Sequence, residues 1–111
     1  MRFLLTLLLA SAGGVDVILD SPPAITGNCN PSRVHFTARI TAGAPGKITY
    51  VWRRSDNGAS STQTLEFAHP GTLPVSYDWL LRRSTTGWVS VKILTPAAVE
   101  SPKSKFELTC R

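Results

Sequence analysis

Alternation of apolar and polar side chains constrains this chain more than any other feature. In "VHFTARIT", Val34, Phe36, Ala38 and Ile40 fall on one side, and His35, Thr37, Arg39 and Thr41 on the other. That is the period of a strand with one buried and one wet face, because successive side chains in an extended chain point in opposite directions. The pattern recurs. "ITYVWRR" groups Ile48, Tyr50 and Trp52, "TLEF" offers Leu65 and Phe67, and "LPVSYDWLL" keeps Leu73, Val75, Tyr77, Trp79 and Leu81 in phase. "WVSVKIL" turns Val89, Val91 and Ile93 inward and leaves Trp88, Ser90 and Lys92 on the other side, and "SKFELTC" aligns Phe106, Leu108 and Cys110. No window sustains a helical 3.6-residue period.

The segments are separated by turn chemistry: "TAGAPGK", "SDNGAS", "AHPGT" and "RRSTTG" supply glycine for positive φ and proline for a preset bend. Pro74 near the start of its segment suits a strand end or an edge strand. With a first strand around Val15–Leu19, continuing near Ala24–Thr26, the count is seven short strands. The predicted fold is an all-β, seven-stranded antiparallel sandwich, since a sheet with one greasy face must cover it with a second sheet. Trp52 and Trp79 lie in phase with their apolar neighbours, so they are assigned with Phe36 and Tyr50 to the core.

A chain of 111 residues suits one domain with a single core. Its opening, "MRFLLTLLLASAGG", has one basic residue, Arg2, an apolar run Phe3 to Leu9, and the small-x-small site Ala10-Ser11-Ala12. That is the anatomy of a short export signal over residues 1–12; a first strand or a buried helix end is the alternative. The run falls well short of the roughly 20 residues a membrane-spanning helix needs, so no membrane span is expected. Residues 13–28 are read as an N-terminal strand and linker, with Pro22-Pro23 stiff and extended, and 29–110 as the folded domain.

Two cysteines are present, Cys29 and Cys110. In an exported chain they read as one disulfide closing nearly the whole domain. A zinc site lacks partners, as no histidine pair lies near the two sulfurs. Positive charge exceeds negative, with 12 Lys+Arg against 7 Asp+Glu. The positives are scattered singly or as the pairs Arg53-Arg54 and Arg82-Arg83, without the block of like charge that marks a nucleic-acid surface.

The combination running from "CNPSRVHFTARITAGAPGKITYVWRR" through "SYDWLL" and "GWVSVKILTP" to "FELTC" resembles the immunoglobulin-like modules of bacterial secreted and surface proteins. The resemblance covers about Cys29 to Cys110. It implies an immunoglobulin-like sandwich and leaves the role open, since such sandwiches host adhesion, scaffolding, carbohydrate contact and enzyme-accessory roles alike. Antibody-like recognition is not implied, because Cys29 precedes the second strand and Cys110 ends the last, whereas antibody domains bridge the second and sixth strands.

Residues able to carry chemistry are few. His35 sits on a predicted outer face and His69 in a turn, and neither belongs to a catalytic motif. Asp78 and Glu66 could approach across strands, but outer-face carboxylates ordinarily balance Arg or Lys. "SDNGAS" lacks the spaced acids of a calcium loop, there is no phosphate-binding glycine loop, and "NPS" has proline where a glycosylation site forbids it. No enzyme, metal or cofactor is expected. What remains is an aromatic and cationic patch of Trp88, Arg53 and Lys92 beside Val51, suited to stacking on a sugar ring or anchoring a protein. The alternative is that these long side chains pack over one another and shield the sheet. The expected function is a non-catalytic exported module that binds a partner protein or envelope glycan. A structural subunit adding its "VDVILD" strand to a neighbour, and so a homo-oligomer, is the second expectation.

Overall fold

A computed structural model describes residues 14–20 and 24–111. The export signal expected over residues 1–12 and the Pro22-Pro23 stretch lie outside the described residues. Among those described, the chain forms β1 (Val15–Asp20), β2 (Ile25–Gly27), β3 (Ser32–Ala42), β4 (Gly46–Arg54), β5 (Gln63–Phe67), β6 (Gly71–Leu81), β7 (Thr85–Thr95), β8 (Val99–Glu100) and β9 (Ser104–Cys110). One sheet has the order β1-β3-β6; the other runs β2-β9-β7-β4-β5, with β8 paired to β7.

The all-β expectation is met, with nine described strands rather than seven. Two short elements make the difference. The stretch after β1 does not extend it: the chain leaves the smaller sheet and pairs β2 with β9, Ile25 opposite Leu108 and Gly27 opposite Cys110. That pairing is parallel, so the sandwich is not wholly antiparallel. β8 lies between β7 and β9 and sets Glu100 opposite Lys92 and Val99 opposite Ile93. Between β8 and β9 the ladder is completed by a side chain: the Ser101 hydroxyl accepts from Val91 N at 3.0 Å and donates to the Pro102 carbonyl.

Alternation decides which faces meet. Val34, Ala38 and Ile40 of β3 and Val89, Val91 and Ile93 of β7 are completely buried, and Phe36 and Trp52 nearly so. Tyr50 and Trp79 are buried beside them. Aromatic rings tie the two sheets together. Trp52 from the larger sheet stacks on Tyr77 from the smaller at 5.5 Å between centroids, while Phe106 meets Phe36 and Trp79 edge-on at 5.3 and 5.4 Å. Such pairs contribute about 0.5–1.5 kcal/mol each beyond the area they bury.

Turn residues behave as their chemistry requires. Gly46 closes the β3–β4 turn at φ 142° and Asn57 sits left-handed at φ 68°, conformations that favour glycine and asparagine. Pro74 lies in β6, an edge strand of the smaller sheet, where its missing N–H costs no ladder bond on the open side. Cys29 and Cys110 form a disulfide across 81 residues, with Cα atoms 5.5 Å apart.

Candidate functional site

The outer face of the larger sheet carries the residues singled out from the sequence. On β7, Trp88, Ser90 and Lys92 have the phase opposite to the core; on β4, Val51 and Arg53 do. The register sets Arg53 opposite Ser90 and Val51 opposite Lys92. Trp88 and Arg53 line one hollow of about 420 Å³, together with Asn57, Glu100 and Lys103. Lys92 stands outside it, one pair further along β7.

The hollow is lined by β4, β7, the turn after β4 and the segment from β8 toward β9, with β8 itself paired to β7 in the same sheet. Glu100, delivered by β8, accepts from Arg53 Nη1 at 3.2 Å and from the Ser90 hydroxyl at 2.7 Å. Ser90, polar and in the outward phase, is therefore fully buried. Trp88 is half-buried, with Lys103 Nζ held 4.4 Å from its ring centroid. The long side chains thus pack over one another, while the hollow beside them remains open to solvent.

The "SDNGAS" turn forms one wall. Ser55 pairs with Trp88 in both directions: its N–H donates to the Trp88 carbonyl at 3.0 Å, and its hydroxyl accepts from Trp88 N at 3.2 Å. The Asp56 carboxylate accepts from Gly58 N at 2.8 Å and takes both Nε and Nη2 of Arg54 at 3.0 Å. Those bonds occupy both carboxylate oxygens of Asp56. Partial burial works against the Asp56 anion, yet the Gly58 amide and the Arg54 guanidinium hold its carboxyl below its ordinary value.

Arg54 is the residue whose importance the sequence reading missed. It continues the inward phase of Ile48, Tyr50 and Trp52 by one step, and that continuation was the available signal. Its guanidinium lies 4.9 Å from the Trp79 ring centroid and donates to the Tyr77 hydroxyl at 3.2 Å. It seals the end of the core with a stack and hydrogen bonds instead of an aliphatic side chain. Burial disfavours the cation, but Tyr77 and Asp56 more than offset this, so Arg54 holds its proton more tightly than an ordinary arginine. A Cβ at position 58 would stand 2.2 Å from Arg54 Nη2, so a larger residue there would displace the guanidinium.

Other candidates separate. Asp78 and Glu66 fall on different sheets, on β6 and β5, so they do not converge. Asp78 instead bonds His35 directly across the β3–β6 ladder, with Arg33 3.7 Å away. His69 lies in the β5–β6 turn beside Pro70. Among the described residues no three His, Cys, Asp or Glu side chains gather as metal ligands, and no helix is long and apolar enough to cross a membrane.

No family model matches this sequence, and no curated protein does. A solved structure is similar in fold: the CARDB domain of the PF1109 protein from Pyrococcus furiosus, determined in complex with di-metal ions. The match has a TM-score of 0.70 at 6% sequence identity and covers 91% of this chain and 97% of that one. At that identity the likeness shows a shared β-sandwich fold.

Proposed function

We propose that this chain is a non-catalytic, exported, immunoglobulin-like module of the bacterial cell surface that binds an envelope glycan or a partner protein through the outer face of its larger sheet. The observation that supports it is the hollow in which Trp88 lies beside Arg53, Glu100 and Lys103. An aromatic ring edged by hydrogen-bonding charges is the usual means of holding a sugar ring or anchoring a protein side chain. The intramolecular disulfide fits an oxidising compartment.

The test is co-sedimentation of the purified chain with insoluble cell-wall polysaccharide. Trp88→Ala is expected to lose at least about ten-fold in affinity, as an interface aromatic does on truncation, with little change in melting temperature. Equal binding by both proteins discards the reading. The structural-subunit reading draws on a different observation: "VDVILD" forms β1, paired on one side with β3 and at the edge of its sheet on the other. An open edge can accept a strand from a second copy. Sedimentation velocity that shows only monomer at high concentration removes it.

A further inference from the structure

The end of the sandwich tied by the disulfide gathers positive charge that the sequence scatters. The register brings the termini of several strands there: Ser32 of β3 lies opposite Leu81 of β6, Thr85 of β7 opposite Leu108 of β9, and Gly27 of β2 opposite Cys110. Arg33, Arg82, Arg83 and Arg111 flank these positions, and all four are exposed. The loop that carries two of them is tethered. The Thr85 hydroxyl donates to the Arg83 carbonyl at 2.8 Å, and the Ser84 hydroxyl accepts from Cys110 N at 2.8 Å. Arg111 is held by its N–H on the Gly27 carbonyl at 3.0 Å.

Among the described residues Arg82, Arg83 and Arg111 enter no ion pair within 4.0 Å, and Arg33 reaches only Asp78, at 3.7 Å. The carboxylates nearby are those of Asp78, already bonded to His35, of Glu107, opposite Thr86 on the outer face of β9, and the α-carboxylate of Arg111, three against four arginines. The balance at this end is positive. One further feature belongs to it: Leu80, paired with Arg33, is 55% exposed, more than any other large apolar side chain among the described residues.

We infer that this end of the sandwich docks on an anionic lipid surface, with the arginines on headgroup phosphates and Leu80 at the interface. Guanidinium groups match phosphate oxygens in paired hydrogen bonds. Several arginines held on one tethered end add their attractions to a negatively charged bilayer within a Debye length. A soluble polyanion would satisfy the arginines alone; an exposed leucine among them favours a bilayer, which has both phosphate and hydrocarbon. This surface is separate from the Trp88 hollow and does not depend on it.

The experiment is co-sedimentation of the full chain with phosphatidylglycerol vesicles and with phosphatidylcholine vesicles at low salt. The ratio of the two partition coefficients cancels the apolar contribution of the N-terminal run, and comparison between variants that share Arg2 cancels its charge. The expected ratio is well above one and falls toward one at high salt. Arg82→Ala with Arg83→Ala is expected to lower it by about five-fold per arginine, roughly 25-fold together, with the melting temperature retained. Arg82→Lys with Arg83→Lys keeps most of the preference, which guards against a folding defect in the alanine pair, and Trp88→Ala leaves it unchanged. No preference for the anionic vesicles, the same ratio in the alanine pair, or retention on a soluble anionic polysaccharide without vesicle preference overturns the inference.

Discussion

The Trp88 hollow and the arginine-bearing end of the sandwich treat charge in opposite ways. In the hollow, Arg53 meets Glu100, Glu100 also takes the Ser90 hydroxyl, and Lys103 lies on the indole. At the disulfide end, Arg82, Arg83 and Arg111 stand exposed with no carboxylate within ion-pair distance among the described residues. In the first arrangement Arg53 and Glu100 offset each other and Lys103 rests on the ring face. The second gains nothing for the fold, since like charges held together repel. The hollow presents an aromatic ring edged by charges already fixed in place, while the disulfide end presents guanidinium groups whose counter-charge must come from elsewhere.

The sharpest way to break this contrast is to remove the frame. Cys29→Ser with Cys110→Ser is expected to cost about 4 kcal/mol, the chain-entropy value for a closed loop of this length. Denaturant unfolding reads it, and a loss below about 1 kcal/mol would mean that the arginine end is held without the disulfide. The hollow depends on a smaller device. Ser101→Ala leaves the buried Val91 N–H without its acceptor and should cost about 1–3 kcal/mol; unchanged stability would show the ladder closing without that hydroxyl.

Lys103→Ala tests the covering itself. It is expected to change stability by no more than about 1 kcal/mol and to raise quenching of tryptophan fluorescence by acrylamide, a neutral quencher whose access does not depend on the charge removed. Because Trp52 and Trp79 are buried, any gain in quenching reports Trp88. No gain would mean that Lys103 does not cover the ring in solution.

The smallest effect concerns Asp56. Its carboxyl is held below its ordinary value of 3.8, so its contribution is present above that value and is lost as pH falls through the depressed, folded-state value. Asp56→Asn should flatten the last part of the acid limb of the stability curve and leave its shape above pH 6 as it is in the unsubstituted protein. An unaltered acid limb would assign that limb to other carboxylates.

Much of the architecture was legible because alternation is a local property. Val34, Phe36, Ala38 and Ile40 share a buried face in the sequence and in space, and Trp52 and Trp79 are buried where their phase puts them. The same logic carried one step further marks Arg54 as an inward arginine, a step easily lost when it is counted only as surface charge. Period two does not say which strand lies beside which. It could not show that β2 leaves the first sheet for β9, or that Asp78 and Glu66 belong to different sheets. Nor does it say what crosses over a face: Ser90 is polar and outward in phase, yet Glu100 and its neighbours bury it.

The sequence by itself determined which side chains turn inward, where the chain bends and that two sulfurs were available to close it. Backbone geometry and side-chain polarity act over a few residues, so those properties can be read along the chain. Only the tertiary structure decided the company each outward residue keeps. Arg53 gained a carboxylate from β8, while Arg33, Arg82, Arg83 and Arg111, scattered through the sequence, were drawn to one end of the sandwich. Strand pairing joins residues tens of positions apart, and the charge pattern of a surface exists only once that pairing is made.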